Sequence, residues 1–188
     1  MNILYIDTTT PDLVVAVVQD NQIINVTSPS VGVRHSEMLC LKVDEVLHKA
    51  KIDFCDLSAY ACAIGPGSFT GIRIGISTVK GYNFAVPLPY IPVCSLQAIS
   101  RSKACGSKGK AVIDAGNGYY FADYNVGLAP TLISYDDERA STAGRADSAT
   151  DYFDGAVEII REQFCAGNFS ADLTPLYIRR SQAEENRK

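Results

Sequence analysis

The residues best placed to do chemistry gather at three points. Gly65-Pro66-Gly67-Ser68-Phe69-Thr70-Gly71 follows a short apolar run and leads into IRIGISTVKGYNFA. A glycine-rich turn between a buried strand and a helix presents backbone N–H groups at a positive helix end, which can hold an anion or a phosphate. The same string also serves as a tight turn that lets the helix pack closely on its sheet, and both readings stand. It is not a Walker A loop, because no Lys-Ser or Lys-Thr follows a GxxxxG frame and Lys80 lies too far along the helix. The second point is Asp7-Thr8-Thr9-Thr10, directly after an apolar run. An aspartate with flanking hydroxyls at a strand end can hold Mg-phosphate, or it can close a turn as an Asx or Ser/Thr motif. Asp7, Thr8, Thr9, Gly65, Gly67 and Ser68 are therefore the candidate nucleotide or anion contacts. The third point is Asp114, a second strand-end carboxylate before Ala115-Gly116-Asn117-Gly118. Phosphoryl transfer needs such a second carboxylate near Mg²⁺, together with a phosphate clamp.

No catalytic or metal constellation accompanies these points. His35 and His48 are the sole histidines, thirteen residues apart, and form neither HExxH nor HxxxH. Six cysteines, at positions 40, 55, 62, 94, 105 and 165, contain no CxxC pair and several sit in apolar runs. They read as reduced, mostly buried thiols of a cytosolic protein. Nothing local pairs a nucleophile with a base.

The elements that must position these residues follow from periodicity. Ile3–Ile6, Leu13–Val18 and Gln22–Val26 are β-rich runs joined by short turns, which predicts an antiparallel meander. Leu39, Val43, Val46, Leu47 and Ala50 mark one face of a helix with Ser36 as its N-cap. Ala59–Ile64 is a continuous apolar run that suits a strand buried on both faces. Ile72, Ile76 and Val79 recur at helical spacing after the glycine loop. Gly71 and Gly75 lie one turn apart beside them, and two helical glycines imply close backbone approach to a sheet or another helix. Tyr90–Val93 is a further strand, and Ser95 caps a helix beginning SLQAISRSKA. Three strands, helix, strand, helix, strand, helix make a mixed sheet with helices against it, of the ribonuclease-H-like or actin-like type.

The second half begins with Ala111–Ala115 and Tyr119–Val126 around an Asn-Gly hairpin signal. Residues 127–150 are polar and read mostly as loop. Asp151–Phe164 carries Phe153, Ala156, Val157, Ile160 and Phe164 on one helical face, and the charged end of the chain reads as frayed. The boundary falls near 97–110, giving a lobe over residues 1–100 and a smaller one over 101–188.

Composition limits the function classes. The chain has 188 residues, 47% of them hydrophobic and 20% charged, which suits a folded protein rather than a disordered one. A net charge of −4 makes it a poor binder of polyphosphate on its own. The opening MNILYIDTTT reads as a first strand rather than a signal peptide, and no run approaches a membrane span.

The string GPGSFTGIRIGISTVKG (65–81) resembles the signature of the TsaB family, also called YeaZ. ILYIDTTT, Arg34-His35-Ser36, Pro92-Val93-Cys94-Ser95-Leu96, Val112-Ile113-Asp114-Ala115 and Pro175-Leu176-Tyr177-Ile178-Arg179 match in order. The match covers most of the chain and is weakest over 127–165. It implies a two-lobed α/β fold, actin-like and Hsp70-like (ribonuclease-H-like), with a reduced second lobe. It also implies a cytoplasmic, non-catalytic subunit in making threonylcarbamoyladenosine beside the tRNA anticodon. The implied partners are TsaD, which transfers the threonylcarbamoyl group, and the ATPase TsaE, with a homodimer when the chain is alone. ATP and a metal belong to the assembly, none to this chain, and tRNA is met through the complex.

Pairing with TsaD through the first two helices, residues 36–51 and 69–85, is implied as well. The apolar residues of those helices, Leu39, Val43, Val46, Leu47, Ile72, Gly75, Ile76 and Val79, are the candidate interface; ordinary core packing is the competing use. Two other functions compete. An actin-like small-molecule kinase or ATPase would use Asp7 and Asp114 around Mg-ATP. A metal-dependent peptidase is disfavoured by the missing HxxxH motif.

Overall fold

The structure, a computed structural model, describes residues 1–29, 34–106 and 109–178. Residues 179–188, where the frayed tail was expected, lie outside the described residues, as do 30–33 and 107–108. Strands β1 (Asn2–Asp7), β2 (Leu13–Gln19) and β3 (Ile23–Ser28) form the expected meander. Helix α1 (His35–Ala50), strand β4 (Ala59–Gly65), helix α2 (Phe69–Ala85), strand β5 (Tyr90–Cys94) and helix α3 (Ser95–Arg101) follow. The sheet runs β3-β2-β1-β4-β5, with β4 parallel to both β1 and β5. The order alone explains the mixture: hairpin turns force antiparallel pairs, and the helical crossovers return the chain parallel.

Strand alternation divides this sheet between two cores. Leu4, Ile6, Leu13, Val15, Val17, Tyr60 and Cys62 face α1 and α2. Ile3, Tyr5, Val14, Ala16, Val18, Ala59, Ala61, Ile91 and Val93 face the opposite side with α3. A sheet buried on both faces needs apolar side chains at consecutive positions, which is why Leu13–Val18 and Ala59–Ala63 read as unbroken runs.

The second sheet is β8-β7-β6-β9, built from β6 (Lys110–Asp114), β7 (Tyr119–Asp123), β8 (Leu128–Ile133) and β9 (Gly144–Arg145). Helix α4 (Phe153–Cys165) then lays Ala156, Val157, Ile159 and Ile160 into the core shared with Ala111 and Ala122, joining the two sheets through one apolar interior. Gly155 packs tightly against the Ala98 carbonyl of α3.

Several expectations are corrected. Residues 127–150 are not mostly loop: they hold β8, a 3₁₀ turn at Glu138–Thr142, and β9. Pro130 disguises β8, yet proline is tolerated there because β8 is the sheet edge. Ser36 does not cap α1; Arg34 takes the N-cap position and no side chain caps the end. Ser95 is the first residue of α3 rather than its cap, and it is buried. The β6–β7 turn places its positive φ at Gly116 (79°) and Gly118 (148°), not at Asn117, and Ala115 N–H bonds the Gly118 carbonyl. The two-residue link is therefore Gly116-Asn117, with glycine first. Of the six thiols, only Cys62 is buried; Cys40, Cys55 and Cys165 are exposed. Among the described residues no helix is long and apolar enough to cross a membrane.

Candidate functional site

A cleft of about 290 Å³ opens between the two sheets. The β1–β2 turn supplies Thr9, Thr10 and Pro11. The turn before α2 supplies Pro66, Gly67 and Ser68. The second sheet supplies Asp114, Tyr119 and Arg145, and Tyr152 closes the base. The topology thus brings all three sequence-predicted points to one cleft.

Their chemistry is largely turned inward. Asp7 is fully buried and accepts four hydrogen bonds. Tyr5 Oη and Tyr152 Oη donate to Oδ2 at 2.9 and 3.0 Å, while Thr9 N–H and Thr9 Oγ1 donate to Oδ1 at 2.8 and 2.7 Å. Ser95 Oγ lies 3.5 Å from Thr9 Oγ1. Burial first, and the Asp7 charge second, pushes both tyrosine hydroxyls well above their ordinary range, so they remain protonated donors. Thr8 is buried and its Oγ1 donates to the Gly71 carbonyl at 2.7 Å.

The glycine loop is seated by contact. Gly65 takes φ +101°, where a side chain would be strained. A Cβ on Gly67 would stand 2.6 Å from the Thr9 carbonyl oxygen, and one on Gly71 would overlap that of Thr8. Gly75 faces Thr8 Oγ1 and the Cys62 sulfur. The two helical glycines thus serve approach to the sheet, not to a second helix. Ser68 N–H donates to the Thr9 carbonyl at 2.7 Å, and Ser68 Oγ caps α2 by accepting Gly71 N–H at 3.1 Å. These bonds consume polar groups that a phosphate would otherwise meet.

Asp114 is exposed at the cleft rim, where Gly116 N–H (2.7 Å) and then Tyr135 Oη (2.9 Å) hold its carboxyl below the usual range. Arg145 lies over the Tyr119 ring at 4.6 Å. His35 is buried at the start of α1, its Nε2 3.3 Å from the Asp12 carbonyl oxygen, and His48 is exposed. Among the described residues no cluster of three His, Cys, Asp or Glu forms a metal-binding group.

The eight residues expected to form a partner interface need correction. Leu39, Val43, Val46, Leu47, Ile72, Ile76 and Val79 are 0–5% exposed inside the core under α1 and α2, and Gly75 is buried against β1 and β4. A side chain already packed on its own sheet has no surface to offer. The opposite faces are free: Leu41 is 63% and Phe84 93% exposed. Between the helices runs a groove lined by Ser36, Phe69, Thr70, Arg73, Ile74 and Ser77. Tyr177, from the segment after α4, roofs its end: its ring packs 4.9 Å from Phe69, and Arg73 Nε donates to its hydroxyl at 2.8 Å.

The paired sheets, the mixed β3-β2-β1-β4-β5 order and the cleft between them define a protein of the actin-like, ribonuclease-H-like class. YeaZ from Pseudomonas aeruginosa shares that fold, with a TM-score of 0.72 over 94% of this chain and 99% of that one, at 20% identity. A family model described as TsaD: tRNA N6-adenosine threonylcarbamoyltransferase matches residues 21–131, more than half of the chain. The tRNA threonylcarbamoyladenosine biosynthesis protein TsaB of Escherichia coli is 34% identical over 128 residues, covering 66% of this chain and 55% of that protein. Its Haemophilus influenzae namesake is 34% identical over 68 residues, covering 36% and 29%. The chain belongs to this family, in its TsaB (YeaZ) branch. It spans about half the length of the curated relatives it matches.

Proposed function

We propose that this chain is a non-catalytic subunit of the cytoplasmic machinery that makes tRNA threonylcarbamoyladenosine, and that it pairs with a TsaD paralogue through the outward faces of α1 and α2. The observation that carries the reading is the state of Asp7. The carboxylate that an actin-like kinase would turn toward a metal-bound phosphate is buried and fully bonded to this chain's own donors. The kinase reading through Asp7 and Asp114 loses its first ligand, and the large exposed apolar side chains of α1 and α2 remain to be covered. In this reading residues 1–100 and 101–188 are the two lobes, ATP, metal and most tRNA contacts come from the partners, TsaE joins the assembly, and the same face closes a homodimer when the chain is alone. The net charge of −4 agrees with leaving the phosphates to the partners.

The docking surface is tested by Leu41→Asp and Phe84→Asp, measured as affinity for the co-purified TsaD paralogue. Both positions are solvent-facing, so the variants keep the parental melting temperature. Apolar anchors at an interface centre carry about 2 kcal/mol or more each, so binding is expected to weaken about thirtyfold or more. Unchanged affinity in both folded variants overturns the proposed surface.

A further inference from the structure

After α4 the chain returns to the first sheet. Ser170 N–H donates to the Tyr90 carbonyl at 2.9 Å, and Tyr90 N–H to the Ser170 carbonyl at 3.2 Å, at the outer edge of β5. Asp172 pairs with Lys80 of α2 at 2.6 Å, and Leu173 is fully buried in the core under α1 and α2. Leu176 N–H then donates to the Ile64 carbonyl at 2.8 Å. This run delivers Tyr177 to the start of α2, at the end of the groove between α1 and α2.

There Arg73 is braced on two sides. Its guanidinium carbon stands 3.8 Å from the centre of the Phe69 ring and 5.7 Å from that of Tyr177. The two rings are 4.9 Å apart with 30° between their planes, and Arg73 Nε donates to Tyr177 Oη at 2.8 Å. Lys80, farther along α2, is neutralised by Asp172, whereas among the described residues Arg73 has no carboxylate partner. Tyr177 takes the Nε–H and leaves the N–H groups of both Nη atoms, a fork that fits a carboxylate with two parallel bonds. A guanidinium already laid on a ring has little rotamer freedom left to lose when that fork closes.

The rest of the groove agrees in charge. Phe69 and Ile74 give it apolar surface and Ser36, Thr70 and Ser77 give it hydroxyls, while Arg73 is the sole charged residue among the described residues that line it. A chain of net charge −4 thus presents on this face a cation without an acid, which fits an acidic partner and disfavours a basic one.

We infer, on the reading above that α1 and α2 dock a TsaD paralogue, that Arg73 receives an aspartate or glutamate of that partner, with an apolar side chain of the same partner segment laid on Ile74. Phe69 and Tyr177 are the positioning residues of this contact. Through Tyr177 the segment after α4 shapes a docking face otherwise built from the first half of the chain.

Binding of the co-purified TsaD paralogue, measured against salt, tests the contact. Arg73→Gln removes the charge and is expected to weaken binding about tenfold or more at low salt. That deficit is expected to shrink as sodium chloride rises from about 0.05 to about 0.5 M, because the parent alone has the ion pair to screen. Arg73→Lys, which keeps the charge without the fork, is expected to recover part of the loss. Tyr177→Phe, which releases Nε but keeps the ring, is expected to weaken binding about two- to threefold. All three variants are expected to melt within about 4 °C of the parent, because the site is exposed. A folded Arg73→Gln that binds as the parent does, in a series where Leu41→Asp and Phe84→Asp weaken binding, overturns the acidic contact and leaves the docking face standing. A loss in Arg73→Gln that salt does not alter also overturns it, since Arg73 would then only brace residues 170–178. Parental binding in all of these variants overturns the face and the contact together.

Discussion

Val43→Asp is expected to abolish cooperative folding. Val43 is fully buried on α1, packed over Val15 and Val17 with Leu39 and Val46 along the same stripe. A carboxylate there has neither water nor a cation, and burying an unpaired charge is among the few single changes that exceed about 4 kcal/mol. A domain's whole stability is about 5–15 kcal/mol, so the folded population falls steeply or disappears. Circular dichroism on heating reads the outcome. A sigmoidal transition within a few degrees of the parent would mean that α1 does not lie on the sheet through this face. The contrast with Leu41→Asp, two residues away and expected to leave the melting temperature unchanged, assigns the two faces of α1 to core and surface.

Gly71→Ala is expected to destabilise the protein against the trend of helix propensity. Inside a helix, alanine is favoured over glycine by about 1 kcal/mol. At position 71 the added methyl would overlap the Thr8 carbonyl, and both partners are backbone, so neither can turn aside. Either α2 lifts from the sheet or the β1–β2 turn shifts. The turn carries the Asp7 network and the helix carries the bond from Thr8 Oγ1, so either movement breaks further contacts. The net cost is about 3 kcal/mol or more, a fall in melting temperature of roughly 6–12 °C for a chain of this size. Gly81→Ala supplies the opposite sign in the same helix. Its Cβ meets nothing within 4 Å, so it is expected to raise the melting temperature slightly. Equal stability of Gly71→Ala and the parent would contradict the close seating of α2.

These two variants also mark what the sequence makes legible. The Val43 stripe and the Gly71/Gly75 pair are visible as periodicity, and β1, β2, β4, α1 and α2 all follow from such patterns. Periodicity identifies an apolar face without saying what covers it. In a helix laid on a sheet the most apolar stripe is the buried one, so a partner is met by the other side. Leu41 and Phe84 break the apolar pattern by standing outside it, and that irregularity is the signal that marks them. Pro130 hid β8 because proline weighs against a strand until its place at a sheet edge is known.

Asp7 was visible as a strand-end carboxylate, but its role depended on Tyr152, which lies 145 residues away and forms its bond only through the tertiary fold. No local spacing encodes such a contact. The available cue was a tyrosine at the entrance of an amphipathic helix, since a buried tyrosine hydroxyl needs a partner. Tyr5, Ser95 and Arg145 were missed for the same reason: each acquires meaning from a neighbour brought by the sheet order rather than by the chain.

As proposed, tRNA modification is expected to require this chain as a docked subunit and not as a catalyst. This requirement is tested most directly by measuring threonylcarbamoyladenosine in tRNA after depleting the protein and restoring it as the parent, as Tyr152→Phe, or as the paired Leu41→Asp/Phe84→Asp variant. The nucleoside is expected to be lost on depletion, recovered with the parent and with Tyr152→Phe, and not recovered with the surface pair. Unchanged threonylcarbamoyladenosine in the depleted cells, or full recovery with a folded surface pair that no longer binds the TsaD paralogue, would contradict it.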